Sequence, residues 1–169
     1  MRLARFLSLV IVTVMLLASL PVGAQQPVAP PPPQIPYGAP ISLEQAKKVM
    51  AGAEAESRKN NWNMVIAVLD SGGNLVMLQR MDGVQLGSIE AAKDKAYSAV
   101  MYRRPTKVFQ DLVGQGGPNL RLLRLAGASP LEGGIPIIVD GKVIGAVGVS
   151  GHTSEQDAQV AKAGADALK

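Results

Sequence analysis

A chain of 169 residues with 17 basic and 13 acidic side chains and 47% hydrophobic residues is long enough for one well-buried core. Its formal charge of +4, with only two Phe, three Tyr and one Trp, argues against a nucleic-acid surface, which needs clustered cations or stacking aromatics. With no cysteine and one histidine, it has no disulfides and too few ligands for a structural zinc site.

The N-terminus reads as a secretory signal over residues 1–24. Arg2 and Arg5 precede an apolar run from Phe6 to Leu20, and Val22-Gly-Ala24 forms a small-residue cleavage site. The apolar run is too short to favour a membrane span, so no stable membrane insertion is expected after cleavage. The expected location is therefore periplasmic or secreted. Without Arg2 and Arg5, 15 basic residues face 13 acidic ones, a net +2. Residues 25–40 form a Pro-rich leader whose run Pro30 to Pro33 favours extended polyproline geometry, and this reads as a solvated tether.

Residues 41–169 form one domain. Ser42 and Gln45 make a capping box, and Leu43, Ala46, Val49, Met50 and Ala53 recur at helical spacing to about Lys59. Met64 to Leu69 and Leu75 to Arg80, separated by Asp70-Ser-Gly-Gly-Asn74, predict a hairpin, its first strand apolar on both faces and so inside a covered sheet. A helix rich in Ala91, Ala92, Ala96 and Ala99 runs from Gly87-Ser88 to about Arg103, before Pro105. A short amphipathic piece, Thr106 to Val113, follows, and Leu120 to Leu125 fits either a strand or a helical turn, with the strand the expectation. Gly133 to Val139 and Lys142 to Val149 form a second hairpin about Asp140-Gly141. Thr153 with Gln156 then caps a last helix, about Ser154 to Leu168. The class is α+β, with a mainly antiparallel sheet of about five strands flanked by helices.

The stretch from Asp140 to Asp157 holds the chemistry that stands out. Ser150, His152 and Asp157 suggest a triad on paper, but no nucleophile-elbow sequence surrounds the serine. Gly145, Gly148 and Gly151 do not reproduce a dinucleotide fingerprint. What survives is an anion site, because amides from His152 to Glu155 open a helix whose dipole favours a carboxylate or phosphate. The competing reading makes Thr153 only a cap and His152 a solvated turn residue, with Gly145 and Gly148 there for packing. Arg80 and Lys95 are candidate partners for an acidic ligand group, although a salt-bridged rim explains Arg80, Asp82, Lys93, Asp94 and Lys95 as well. Met77, Met81 and Met101 read first as core filler, and Tyr97 and Tyr102 carry the same caution.

Taken in order, Asp70-x-Gly-Gly-Asn-Leu, Arg80-Met-Asp-Gly83, Lys95-Ala-Tyr-x-Ala99, Gly133-Gly-x-Pro-Ile137 and Gly145-Ala-Val-Gly-Val-Ser-Gly151 followed by Asp157 resemble the GlcG/HbpS family over nearly all of residues 41–169. The resemblance implies a profilin-like sandwich assembled into symmetric homo-oligomers, often tetramers or octamers. It also implies a haem-related role, since the family includes exported haem-binding proteins, domains attached to corrinoid adenosyltransferases, and a domain described as haem-degrading. Where the family commonly has a small residue after Ser150-Gly151, this chain has His152.

The leading expectation is an exported, non-catalytic carrier or sensor of haem or a related tetrapyrrole, with His152 as candidate iron ligand and a tyrosine or methionine as the alternative. The ligand-binding positions are then Arg80, Asp82, Lys95, Tyr97, Gly134 and Pro136, together with Ser150, Gly151, His152 and Thr153. No catalytic residue is assigned. A second expectation is a lyase, isomerase or haem-degrading enzyme using Arg80, Asp82 and Lys95 in an intersubunit pocket. A third is an interaction subunit of a periplasmic complex, docked through the Pro-rich leader.

Overall fold

The computed structural model describes residues 34–169. The signal reading (1–24) and the leader as far as residue 33 lie outside the described residues.

Four strands form one antiparallel sheet, β1 (Val65–Asp70), β2 (Leu75–Arg80), β3 (Gly134–Val139) and β4 (Lys142–Ser150), in the order β2-β1-β4-β3. The apolar run that predicted a doubly covered strand is β1, an inner strand buried from Val65 to Leu69. Asp140 (φ 49°) and Gly141 (φ 71°) both take the left-handed conformation of a two-residue hairpin turn, which sets Val139 opposite Lys142.

Among the described residues the sheet has four strands rather than about five, because Leu120 to Arg124 belongs to a 3-10 helix, Gly117–Arg124, with Leu125 as its C-cap. The leucines and arginines there recur every three residues, as in Leu120/Leu123 and Arg121/Arg124, and three is the period of a 3-10 helix. Gly116 and Gly117 enter it at positive φ with Pro118 next, a chain reversal rather than a strand start.

Helices α1 (Leu43–Lys59) and α4 (Ser154–Asp166) pack together on one face of the sheet, and α2 (Ser88–Tyr102) covers the other; α3 (Lys107–Gly114) sits beside the 3-10 helix. Both expected capping boxes are present, at Ser42/Gln45 and Thr153/Gln156. Ile66, Val68, Val147 and Val149 are buried with residues of α1 and α4, each contributing roughly 1.5–3 kcal/mol of burial free energy.

On the opposite face Gly134 and Gly148 stand side by side in the register under α2. A Cβ on Gly148 would lie 2.1 Å from the Ala92 carbonyl, and one on Gly134 would lie 2.2 Å from that of Lys95. These glycines, with Ala92 and Ala96, let the helix backbone rest directly on the strands.

The domain also reaches further towards the N-terminus than residue 41. Pro36 accepts from the Val143 amide at 2.9 Å, and the Gly38 amide donates to Val143 at 2.8 Å, so this segment lies along β4 where β1 has ended. Tyr37 directs its hydroxyl to the Val100 and Met101 carbonyls, and its ring lies 5.0 Å beneath the Arg103 guanidinium. The end of the supposed tether, residues 34–40, is therefore a docked strap.

Candidate functional site

Register brings one group of the expected residues together. Val65 pairs with both Arg80 and Ser150, so the end of β2, the start of β1 and the end of β4 lie side by side at one rim of the sheet. Arg80 and Asp82 line a depression of about 230 Å³ there with Arg58, Asn63, Gln79 and Met81. Arg58 is paired with Glu54, whereas Arg80 has no ion-pair partner among the described residues. The turn after β4 sits against the same corner, since a Cβ on Gly151 would fall 2.4 Å from the Asn63 carbonyl. Next to Asn63 is Trp62, whose ring lies 6.2 Å from that of His152, centroid to centroid. His152 is exposed and Trp62 half-buried.

Part of the helix start at this corner is occupied by the chain's own side chains. Thr153 caps the Gln156 amide, and the Gln156 side chain accepts from the Thr153 amide. The His152 amide donates to Asp157 Oδ1 at 3.1 Å. Asp157 Oδ2 in turn accepts from Lys95 Nζ at 2.6 Å, and the same ammonium donates to the Val149 carbonyl at 3.0 Å. Lys95 and Asp157 are each only 2% exposed. Burial pushes the Asp157 carboxyl above the ordinary carboxylate range, against the Lys95 ammonium and the His152 and Gly151 amides, which pull it down. Lys95 is thus an internal partner of Asp157, away from the surface rim where the sequence suggested a ligand contact.

The triad on paper is not assembled. Asp157 meets the backbone of His152, and Ser150 Oγ lies 3.2 Å from Ser88 Oγ. Gly134 and Pro136 are buried in β3, Gly134 against α2. Tyr97 stands apart from the rim. Its ring edges are close to Gly73 and Gly127, and it separates two clefts of about 340 and 280 Å³ on the flank of α2. Met77 and Met81 pack against the core, as expected of filler, and Met101 is exposed near Gly73.

Sequence reasoning missed Trp62, Asn63 and Arg58. The available signal was the single tryptophan, which stands between Asn61 and Asn63 where the chain turns from helix to strand.

Residues 41–166 match the family model described as "Haem degrading protein HbpS-like". The chain belongs to this family. Protein GlcG of Escherichia coli (strain K12) is 44% identical to this HbpS-like chain over 110 residues, 65% of this chain and 81% of GlcG. A double-mutant form of Streptomyces reticuli HbpS aligns with a TM-score of 0.71 at 30% identity, over 86% of this chain and 99% of that one. PduOC crystallised in complex with heme aligns with a TM-score of 0.69 at 26% identity, over 76% and 95% of the two chains.

Among the described residues, the HbpS-like chain gathers no cluster of three or more His, Asp or Glu able to hold a bare metal ion. None of its described helices is long and apolar enough to cross a membrane. Its rim instead combines an exposed imidazole, a half-buried indole and a guanidinium without an ion-pair partner among the described residues.

Proposed function

We propose that this HbpS-like protein binds haem or a related tetrapyrrole at the sheet rim, and carries or senses it without transforming it. The observation that carries the reading is His152, exposed beside Trp62 on the rim that also presents Arg80. A structural relative crystallised with heme supports the same ligand class.

The residues fit the group. His152 supplies a ring nitrogen for iron, Arg80 a bidentate partner for a propionate, and Trp62 an apolar aromatic surface. When bound, haem would supply one-electron and ligand-exchange chemistry at its iron. Lys95 drops out as a propionate partner because Asp157 already occupies it, and the His152 and Thr153 amides are taken by Asp157 and Gln156.

The rim depression, about 230 Å³, lies below the usual range of ligand pockets, roughly 300–1,000 Å³, and is too small to enclose a tetrapyrrole. That supports a site completed by a second copy, in line with the expected tetramer or octamer. The signal-like N-terminus supports delivery to the periplasm or beyond.

Titration of the purified protein with hemin tests the reading. A saturable Soret shift at micromolar protein is expected, and its absence removes the proposal. Supplying reductant and oxygen separates carriage from degradation: in a carrier the Soret band shifts with the iron's oxidation state and returns on reoxidation, whereas an enzyme loses it irreversibly with a defined product.

A further inference from the structure

We propose that the buried Lys95–Asp157 pair is a positioning device for His152, holding the turn that presents the imidazole at the rim. This rests on the tetrapyrrole reading for the ligand but not for the turn itself.

Beyond Ser150 the chain has left the sheet, so no strand partner fixes residues 151–153. The His152 ring makes no hydrogen bond among the described residues. Its placement therefore depends on its backbone and on Trp62. The capping box holds the Thr153 amide, and one continuous bridge holds that of His152. The Val149 carbonyl, the last buried valine of β4, accepts from Lys95 Nζ; Lys95 holds Asp157 Oδ2; and Asp157 Oδ1 accepts from the His152 amide. Three elements, β4, α2 and α4, thereby converge on one amide.

Room for the pair is built into the neighbouring loop. A Cβ on Gly133 would fall 3.1 Å from Lys95 Nζ, 2.9 Å from Asp157 Cβ and 2.8 Å from the Val149 carbonyl. Gly133 also sits at φ 119°, a backbone conformation that side-chain-bearing residues rarely adopt.

Stability alone does not account for such a pair. Burying two charges carries a desolvation penalty, and apolar residues of similar volume often replace a buried ion pair without loss. What apolar residues cannot supply is a carboxylate oxygen for the His152 amide. Positioning, not adhesion, is the property that needs these side chains.

The paired substitution Lys95→Met with Asp157→Leu removes the bridge without leaving an isolated buried charge, and Asp157→Asn is the single-site companion. In whichever variant unfolds cooperatively like wild type, amide exchange at Gly151 and His152 is expected to quicken about tenfold relative to Val147. The hemin-loaded Soret band should shift from its wild-type position, with affinity about tenfold weaker. A purely structural pair would alter the melting temperature but not the spectrum of the folded, loaded variant. Unchanged turn exchange together with an unchanged Soret band in a folded variant overturns the proposal. If wild type gives no Soret shift while turn exchange still depends on Asp157, the tetrapyrrole reading has failed and the positioning of the turn stands.

Discussion

At the scale of single residues, charge and close packing decide what each candidate does. Lys95 and Asp82 looked equivalent in sequence, but one is sealed beneath β4 and the other is exposed on the rim. Nothing in the local sequence separates them, because Lys95 is buried only through a partner 62 residues away. The glycines were more legible. Gly148 read first as a packing residue, and it touches the α2 backbone. Gly148→Ala is expected to force α2 off the sheet and cost about 3 kcal/mol, measured by urea denaturation. Trp62 and Arg58 were invisible as site residues, since their role depends on which strand ends become neighbours.

At the scale of elements, patterns confined to one segment were readable and those depending on another segment were not. Both capping boxes, the Asp140-Gly141 hairpin and the doubly buried β1 follow from local chemistry. Leu120 to Arg124 forms a 3-10 helix rather than the expected strand, because so short a run of leucine and arginine fits either reading and only its period of three separates them.

In the β1–β2 turn, burial works to raise the Asp70 carboxyl, but hydrogen bonds from Asn74, Gly72 and Gly73 hold it below the ordinary carboxylate range. Its folded-state pKa is depressed, so its stabilisation is present above the unfolded value of about 4 and is lost as pH falls through the folded one. Asp70→Asn should therefore lower the melting temperature at pH 7, with the difference from wild type vanishing in strongly acid solution. An equal difference at both ends of a pH series of thermal melts would refute this account of the turn. The strap gives a second test at this scale. Tyr37→Phe removes the hydroxyl donated to the Val100 and Met101 carbonyls and is expected to cost about 1 kcal/mol in denaturant titration, whereas a free tether predicts no change.

At the scale of the whole molecule, the fold places three strand ends and the start of α4 around one corner, while Tyr97 and its clefts lie elsewhere on α2. Because the rim depression is smaller than a tetrapyrrole, the protein is expected to sediment as a multiple of its monomer mass at micromolar concentration; a monomer would remove the shared-site account. The most direct measurement of the central claim compares hemin binding, read at the Soret band, in wild type, His152→Ala, Arg80→Gln, Trp62→Ala and Tyr97→Ala. A rim site predicts an altered Soret position for His152→Ala, weaker binding for Arg80→Gln and Trp62→Ala, and wild-type behaviour for Tyr97→Ala. Loss of binding in Tyr97→Ala with all three rim variants unchanged would contradict it.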